Sequence, residues 1–107
     1  MAEHHHNVYV VELDPLVRKL RRFARENPAS APELPCLYVG VTGLSPEERF
    51  ARHKAGIQGS WIVKQFGLRL LPELYDYLNP MPYEAAAQME ADLAGDLRAL
   101  GHGVWQR

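Results

Sequence analysis

The first segment with a clear pattern of hydrophobic and polar positions spans residues 7–13. It alternates with a period of two, so that Tyr9, Val11 and Leu13 share one face while Val8 and Val10 share the other. This pattern predicts a β-strand with apolar residues on both faces.

The pattern changes to helical spacing directly after this strand. Asp14 followed by Pro15 is a typical helix start, with a capping carboxylate before a proline in the first turn. Apolar residues then recur at Leu16, Leu20, Phe23 and Ala24, and arginines and a lysine occupy the remaining faces. We therefore expect one basic amphipathic helix over residues 15–25, followed by a turn-rich connector.

A second apolar strand is predicted over residues 37–41, and the helix that follows has a complete start signal. Ser45 can cap this helix with its hydroxyl, Pro46 fits its first position, and Glu48 stands where it can complete a capping box. Gly56 is in the position where glycine usually ends a helix.

The second half of the chain predicts three more elements. We expect a short helix over Trp61–Phe66, a strand over residues 68–71 and a long helix over residues 83–100, with the tail packing back on the sheet. The expected fold class is thus a small α/β (α+β) domain, with a three-stranded, mainly antiparallel sheet and helices packed on it.

Composition indicates a single domain over residues 1–107. The hydrophobic content of 47% is ordinary for a globular protein. The lone cysteine, Cys36, cannot form an intramolecular disulfide, which favours a reduced, cytoplasmic setting. No run of about 18 apolar residues is present, so no membrane association is expected. Residues 1–6 contain three histidines and are interpreted as a disordered tail.

Charge is unevenly distributed, although the net charge is only −1. Residues 14–27 contain five cations and two acids, residues 41–69 again contain five and two, and residues 70–107 contain six acids and two cations. This pattern suits a phosphate-facing side and a solvated acidic side, but it also suits ordinary surface helices.

The segment over residues 37–53, which contains the second strand and the helix after it, resembles the GIY-YIG nuclease family. Val8-Tyr9-Val10 stands where the first motif falls and Tyr38-Val39-Gly40 where the second falls. Arg49, His53 and Glu90 follow at the positions of family residues. The chain departs from the family at Val8, where glycine is usual, and among residues 104–106, which lack the asparagine found in many members. By this resemblance, the basic helix and its connector, residues 14–34, are an insertion between the first two strands.

The resemblance implies a role for each of these residues. Glu90 would hold Mg²⁺ or Mn²⁺, Arg49 would bind the scissile phosphate, and Tyr38 would accept a proton from the attacking water with Tyr9 as an orienting partner. His53 is a second candidate for the proton. Each residue also has a structural interpretation. Glu90 would be a surface acid, and Arg49 would form an ion pair with Glu48 or Glu90. Tyr9 and Tyr38 would be ordinary strand tyrosines, and His53 would be a histidine at a helix end.

The expected function is therefore a metal-dependent endonuclease that hydrolyses phosphodiester bonds in DNA, with RNA not excluded. The alternative is a catalytically inactive nucleic-acid-binding module of the same fold. Specificity would come from the inserted helix, from a homodimer or from a partner protein. The candidate phosphate-binding cations are Arg18, Arg22, Arg52, Lys54 and Lys64.

Overall fold

The computed structural model describes residues 4–106, and its core is a four-stranded mixed sheet. The strands are β1 (Asn7–Leu13), β2 (Cys36–Thr42), β3 (Gly67–Leu70) and β4 (Gly103–Gln106), in the spatial order β3-β1-β2-β4. β1 is antiparallel to β2 and β3, whereas β4 runs parallel to β2. The molecule is a compact α+β fold.

Four α-helices lie in the described part of the chain: α1 (Arg21–Glu26), α2 (Pro46–Ala55), α3 (Trp61–Phe66) and α4 (Tyr83–Ala99). Short 3₁₀ helices occupy Pro15–Lys19, Pro72–Leu74 and Asp76–Leu78. None of the helices in residues 4–106 is long and apolar enough to cross a bilayer.

The helices form two layers around the sheet. Cross-strand pairing puts Tyr9, Tyr38 and Trp105 on one face, because paired residues point to the same side. His53 of α2 and Trp61 of α3 contact this face. The helix α4 packs on β1, β2 and β4 from the other face.

The prediction of a three-stranded, mainly antiparallel sheet was wrong in strand number. The tail does pack on the sheet as expected, but it does so as a fourth strand paired in parallel with β2. Local sequence could not show this, because residues 103–106 form only four positions and their partner strand lies far away in the chain.

The single basic helix predicted over residues 15–25 is two separate pieces. A 3₁₀ turn, Pro15–Lys19, ends at Leu20, whose extended backbone (φ −74°, ψ 127°) precedes α1. The start signal itself is confirmed, since Asp14 Oδ1 accepts a hydrogen bond of 2.9 Å from the Leu16 N–H. In the first piece, the Arg18 guanidinium donates to the loop carbonyls of residues 31, 32 and 34.

The start and end predicted for α2 are confirmed. Ser45 Oγ accepts from the Glu48 N–H at 3.1 Å, and Pro46 is the first helical residue. Gly56 ends the helix with φ 76°, a left-handed conformation that favours glycine.

His6, which falls in the segment expected to be a disordered tail, makes specific contacts. His6 pairs with Met81 in an isolated β-bridge and its ring stacks edge-on with Tyr83 at 5.1 Å. The expectation of disorder for residues 1–3 lies outside the described residues.

Two asparagine side chains, one buried and one half-buried, form hydrogen bonds with strand backbone groups that no neighbouring strand pairs with. Asn27 accepts from the Val104 N–H at 2.8 Å and donates to the Val104 carbonyl at 3.0 Å. Asn79 makes the same pair of contacts with Val8, at 2.9 and 2.8 Å. Both side chains thus satisfy backbone groups that an exposed edge would leave open.

Candidate active site

Two tyrosines lie side by side on the sheet face that α2 and α3 cover. Tyr9 pairs with Gly40 across β1 and β2, and Tyr38 precedes Gly40 by two residues on the same strand. The ring centroids of the two tyrosines are 6.0 Å apart. The glycine is required here, because a Cβ at position 40 would lie 2.7 Å from Tyr9 Oη and 3.0 Å from Tyr38 Cε1.

We expect Gly40→Ala to destabilise the fold by about 1–3 kcal/mol, the usual cost of overpacking a core. Gly95→Ala on α4 is the matched control, because no atom lies within 4 Å of the new methyl group and alanine favours helix. Urea denaturation of both variants checks this. Equal stability of Gly40→Ala and the wild type would show that the tyrosine pair tolerates a methyl group.

His53 is buried on α2 directly above the tyrosines. Its Nε2 is 2.7 Å from Tyr9 Oη, and the Ser60 N–H donates to its Nδ1 at 2.7 Å. Gly59 permits this approach, since a Cβ at position 59 would lie 2.7 Å from the His53 Cα. The loop after α2 therefore holds the imidazole in one orientation.

This backbone contact determines where the protons lie. A backbone N–H can only donate, so Nδ1 accepts and the neutral imidazole carries its proton on Nε2, which donates to Tyr9 Oη. The side chains of Arg49 and Tyr38 lie close enough to the Tyr9 hydroxyl to influence its pKa. Because the Tyr9 oxygen accepts from His53, its own proton does not lie between Tyr9 and His53.

Arg49 lies one helical turn before His53, at the half-exposed rim of this tyrosine–histidine cluster. Its Nη2 donates to the Gln58 carbonyl at 3.1 Å. The predicted ion pair of Arg49 with Glu48 is absent in the described residues, where Glu48 instead lies 3.9 Å from Arg52. The charge of Arg49 also acts to lower the pKa of Tyr9 and of His53, so the arginine acts on the buried cluster as well as on the loop after α2.

Burial dominates the protonation of the cluster. It raises the pKa of Tyr9 far above the ordinary value, and the neighbouring Tyr38 acts in the same direction while Arg49 opposes both. Burial, followed by the charge of Arg49, lowers the pKa of His53 to about 4. At neutral pH Tyr9 therefore keeps its proton, and His53 is neutral with both ring nitrogens hydrogen-bonded.

The depressed pKa of His53 predicts a pH-dependent stability. In the unfolded chain a histidine titrates near about 6.5, whereas in the fold His53 titrates at about 4. Between these values the unfolded state binds more protons, so the free energy of unfolding falls as the pH is lowered through this range. Denaturation at several pH values should show a shallower fall in His53→Gln than in the wild type.

The exposed His4 provides the control, as His4→Gln should retain the full pH dependence. Nitrogen chemical shifts of the His53 ring offer an independent check, with the proton expected on Nε2 at neutral pH. Identical pH profiles for His53→Gln and the wild type would contradict the assignment.

Glu90 lies apart from these four residues. It is 8% exposed on α4, and Gln106 Nε2 donates to its Oε1 at 3.4 Å. Gln106 pairs with Val39, so both point to the sheet face opposite Tyr38. The structure thus brings Tyr9, Tyr38, Arg49 and His53 together and puts Glu90 behind the sheet.

The sequence prediction did not include Gln106. It considered residues 104–106 only as places where an asparagine was missing, although a glutamine offers the same amide group one methylene further out. With Glu90 it provides oxygen ligands, which suits Mg²⁺, an ion that often takes one or two carboxylates and completes its shell with water and phosphate. No group of three or more His, Cys, Asp and Glu side chains that could hold a metal occurs in residues 4–106.

The candidate phosphate-binding cations fall into two groups. Arg18 and Lys54 each donate to three backbone carbonyls. The carbonyls that bind Arg18 lie in the connector after α1, and those that bind Lys54 lie at the end of α3 and the start of β3. Both therefore have a structural role. Arg22, Arg52 and Lys64 remain exposed on the surface.

Comparison of the chain with protein-family models, with curated proteins and with solved structures found no match.

Proposed function

We propose that this protein is a metal-dependent endonuclease that hydrolyses phosphodiester bonds in DNA, on a fold of the GIY-YIG type. The supporting observation is the cluster in which Tyr9 is hydrogen-bonded to His53 and lies close to Tyr38 and Arg49. It joins a cation suited to phosphate with an ordered set of hydroxyl groups. Those are two of the functions that phosphodiester hydrolysis needs.

Arg49 is the proposed phosphate ligand. Its guanidinium can make two parallel hydrogen bonds to phosphate oxygens, which lysine cannot reproduce. In the free protein Nη2 donates to the Gln58 carbonyl, and that carbonyl is a weaker acceptor than a phosphate anion. Substrate would therefore replace Gln58 and release the loop that covers the cluster.

Tyr38 is the proposed proton acceptor in preference to His53. Both nitrogens of His53 are engaged, and its pKa of about 4 makes it a weak base at neutral pH. The Tyr38 ring, by contrast, lies beside the Tyr9 ring on the same sheet face, with the centroids 6.0 Å apart. In this proposal Tyr38 takes a proton from the attacking water and Tyr9 is its orienting partner.

Glu90 and Gln106 are the proposed metal-binding residues. A bound Mg²⁺ or Mn²⁺ would supply positive charge to stabilise the phosphoryl oxygens. In residues 4–106, β4 ends opposite Val39, next to Gly40 of β2. A phosphate at this edge of the sheet would have the tyrosine cluster on one side and Glu90 on the other.

The second candidate, a nucleic-acid-binding module without turnover, is favoured by one specific observation. Tyr38 is only 1% exposed and Tyr9 is fully buried, so neither hydroxyl meets substrate until the loop after α2 moves. In that interpretation the cluster is a satisfied polar core that stabilises the fold.

Incubation of labelled duplex, branched and single-stranded DNA and of RNA, with Mn²⁺ and with a chelator, tests the two candidates. Cleavage that requires the metal would support the endonuclease. Binding without cleavage of any substrate would support the binding module. Absence of both binding and cleavage would contradict both proposals.

A further inference from the structure

The sheet face that carries the tyrosines continues into a cluster formed by two tryptophans and an arginine. Trp105 pairs with Tyr38 in the sheet and is buried. Trp61 packs edge-on against it with the ring centroids 5.9 Å apart, and the Arg22 guanidinium lies 4.4 Å from the centroid of the Trp105 ring. We call Arg22, Trp61 and Trp105 the tryptophan surface.

Trp61 is 55% exposed, although a large aromatic ring normally finds cover in a small domain. Its edge-on contact with the buried Trp105 holds the ring in one orientation. The result is a flat, pre-positioned aromatic side chain with much of its surface open to solvent.

The tryptophan surface is adjacent to the tyrosine–histidine cluster. Ser60, whose N–H holds His53 at 2.7 Å, is the residue directly before Trp61. Consecutive Cα atoms are about 3.8 Å apart, so Trp61 directly follows the loop that holds His53. Arg49 donates to Gln58 in the same loop at 3.1 Å, so the loop links the two regions.

Charge around Trp61 favours an anionic partner. Lys64 is exposed three residues later on α3, which puts it on the same side of the helix as Trp61. Arg22 is exposed on the neighbouring α1, where its side chain is paired at 3.0 Å with Glu26. Aromatic rings flanked by cations suit single-stranded nucleic acid, whose bases stack while the phosphates meet the cations.

We propose that the tryptophan surface binds an unpaired nucleobase next to the scissile phosphate, so that the substrate is single-stranded or has a base extruded from the duplex. This inference rests on the proposed function. In a regular duplex both faces of each base are covered by its neighbours, so Trp61 would have no partner there.

The test is the affinity of labelled oligothymidine and of a duplex hairpin of equal length, measured by fluorescence anisotropy in chelator. We expect the wild type to prefer the single strand and Trp61→Ala to weaken its binding by about 5- to 100-fold. Trp61→Phe should retain much of the affinity, because a smaller ring can still stack. Tyr77→Ala, at a residue 78% exposed, should bind as the wild type does.

Salt dependence tests the cations separately. Replacing Arg22 and Lys64 by glutamine should lower the slope of log affinity against log salt by about 0.7 for each lost contact with a single strand. An unchanged slope in that double variant would contradict the charge part of the proposal.

Two results would overturn the inference: equal binding by Trp61→Ala and Tyr77→Ala, or a wild-type dimer in sedimentation that Trp61→Ala converts to monomer. The second would assign the surface to another copy of this chain. Binding through Trp61 without cleavage would refute the nuclease and support only the binding of an unpaired nucleobase at Trp61. Duplex cleavage that Trp61→Ala leaves unchanged would support the nuclease and refute the binding of an unpaired base at Trp61.

Discussion

Replacing Tyr38 by phenylalanine is expected to lower the rate of metal-dependent cleavage by about 10²–10⁴-fold, the usual contribution of a general acid–base group. The change removes only the hydroxyl of the proposed proton acceptor. The ring remains to fill its place beside Gly40, so the fold should be preserved. Single-turnover rates at saturating substrate measure the effect without interference from binding.

Tyr77→Phe is the matched control, since it removes a hydroxyl from an exposed tyrosine. His53→Gln should lose less activity than Tyr38→Phe, because the histidine orients Tyr9 and does not itself take the proton. A normal rate in Tyr38→Phe would assign the proton to another group and leave the tyrosine a structural role.

Replacing Glu90 by glutamine is expected to reduce metal-dependent cleavage by at least about 100-fold, because a bound metal contributes several kcal/mol of charge stabilisation. The amide has the same shape and can remain next to Gln106, so folding should be little affected. Binding of DNA in chelator should also survive. Titration calorimetry with Mn²⁺ would measure the loss of metal affinity directly.

Glu84→Gln is the control, as Glu84 is an exposed acid in the first turn of the same helix. It should cleave at the wild-type rate and keep its response to Mn²⁺. If Glu90→Gln also cleaves normally, the buried carboxylate is a structural partner of Gln106 and the metal is held elsewhere or is not used.

The sequence by itself determined the elements that depend on near neighbours. Alternation predicted β1, the signals at Ser45 and Gly56 set both ends of α2, and a long helix was expected where α4 lies. The spacing of four residues between Arg49 and His53 also puts both on one side of α2. These predictions succeed because strand alternation, capping and helical spacing involve residues within a few positions of each other.

Only the tertiary structure decided which residues meet. Tyr9 and His53 are 44 positions apart, and Asn27 reaches Val104 across 77. The tautomer of His53 depends on the Ser60 amide, a backbone group that no side-chain motif reveals. Because contacts between distant residues depend on how strands pair and which face each helix covers, the parallel β4, the place of Glu90 behind the sheet and its contact with Gln106 could not follow from local pattern.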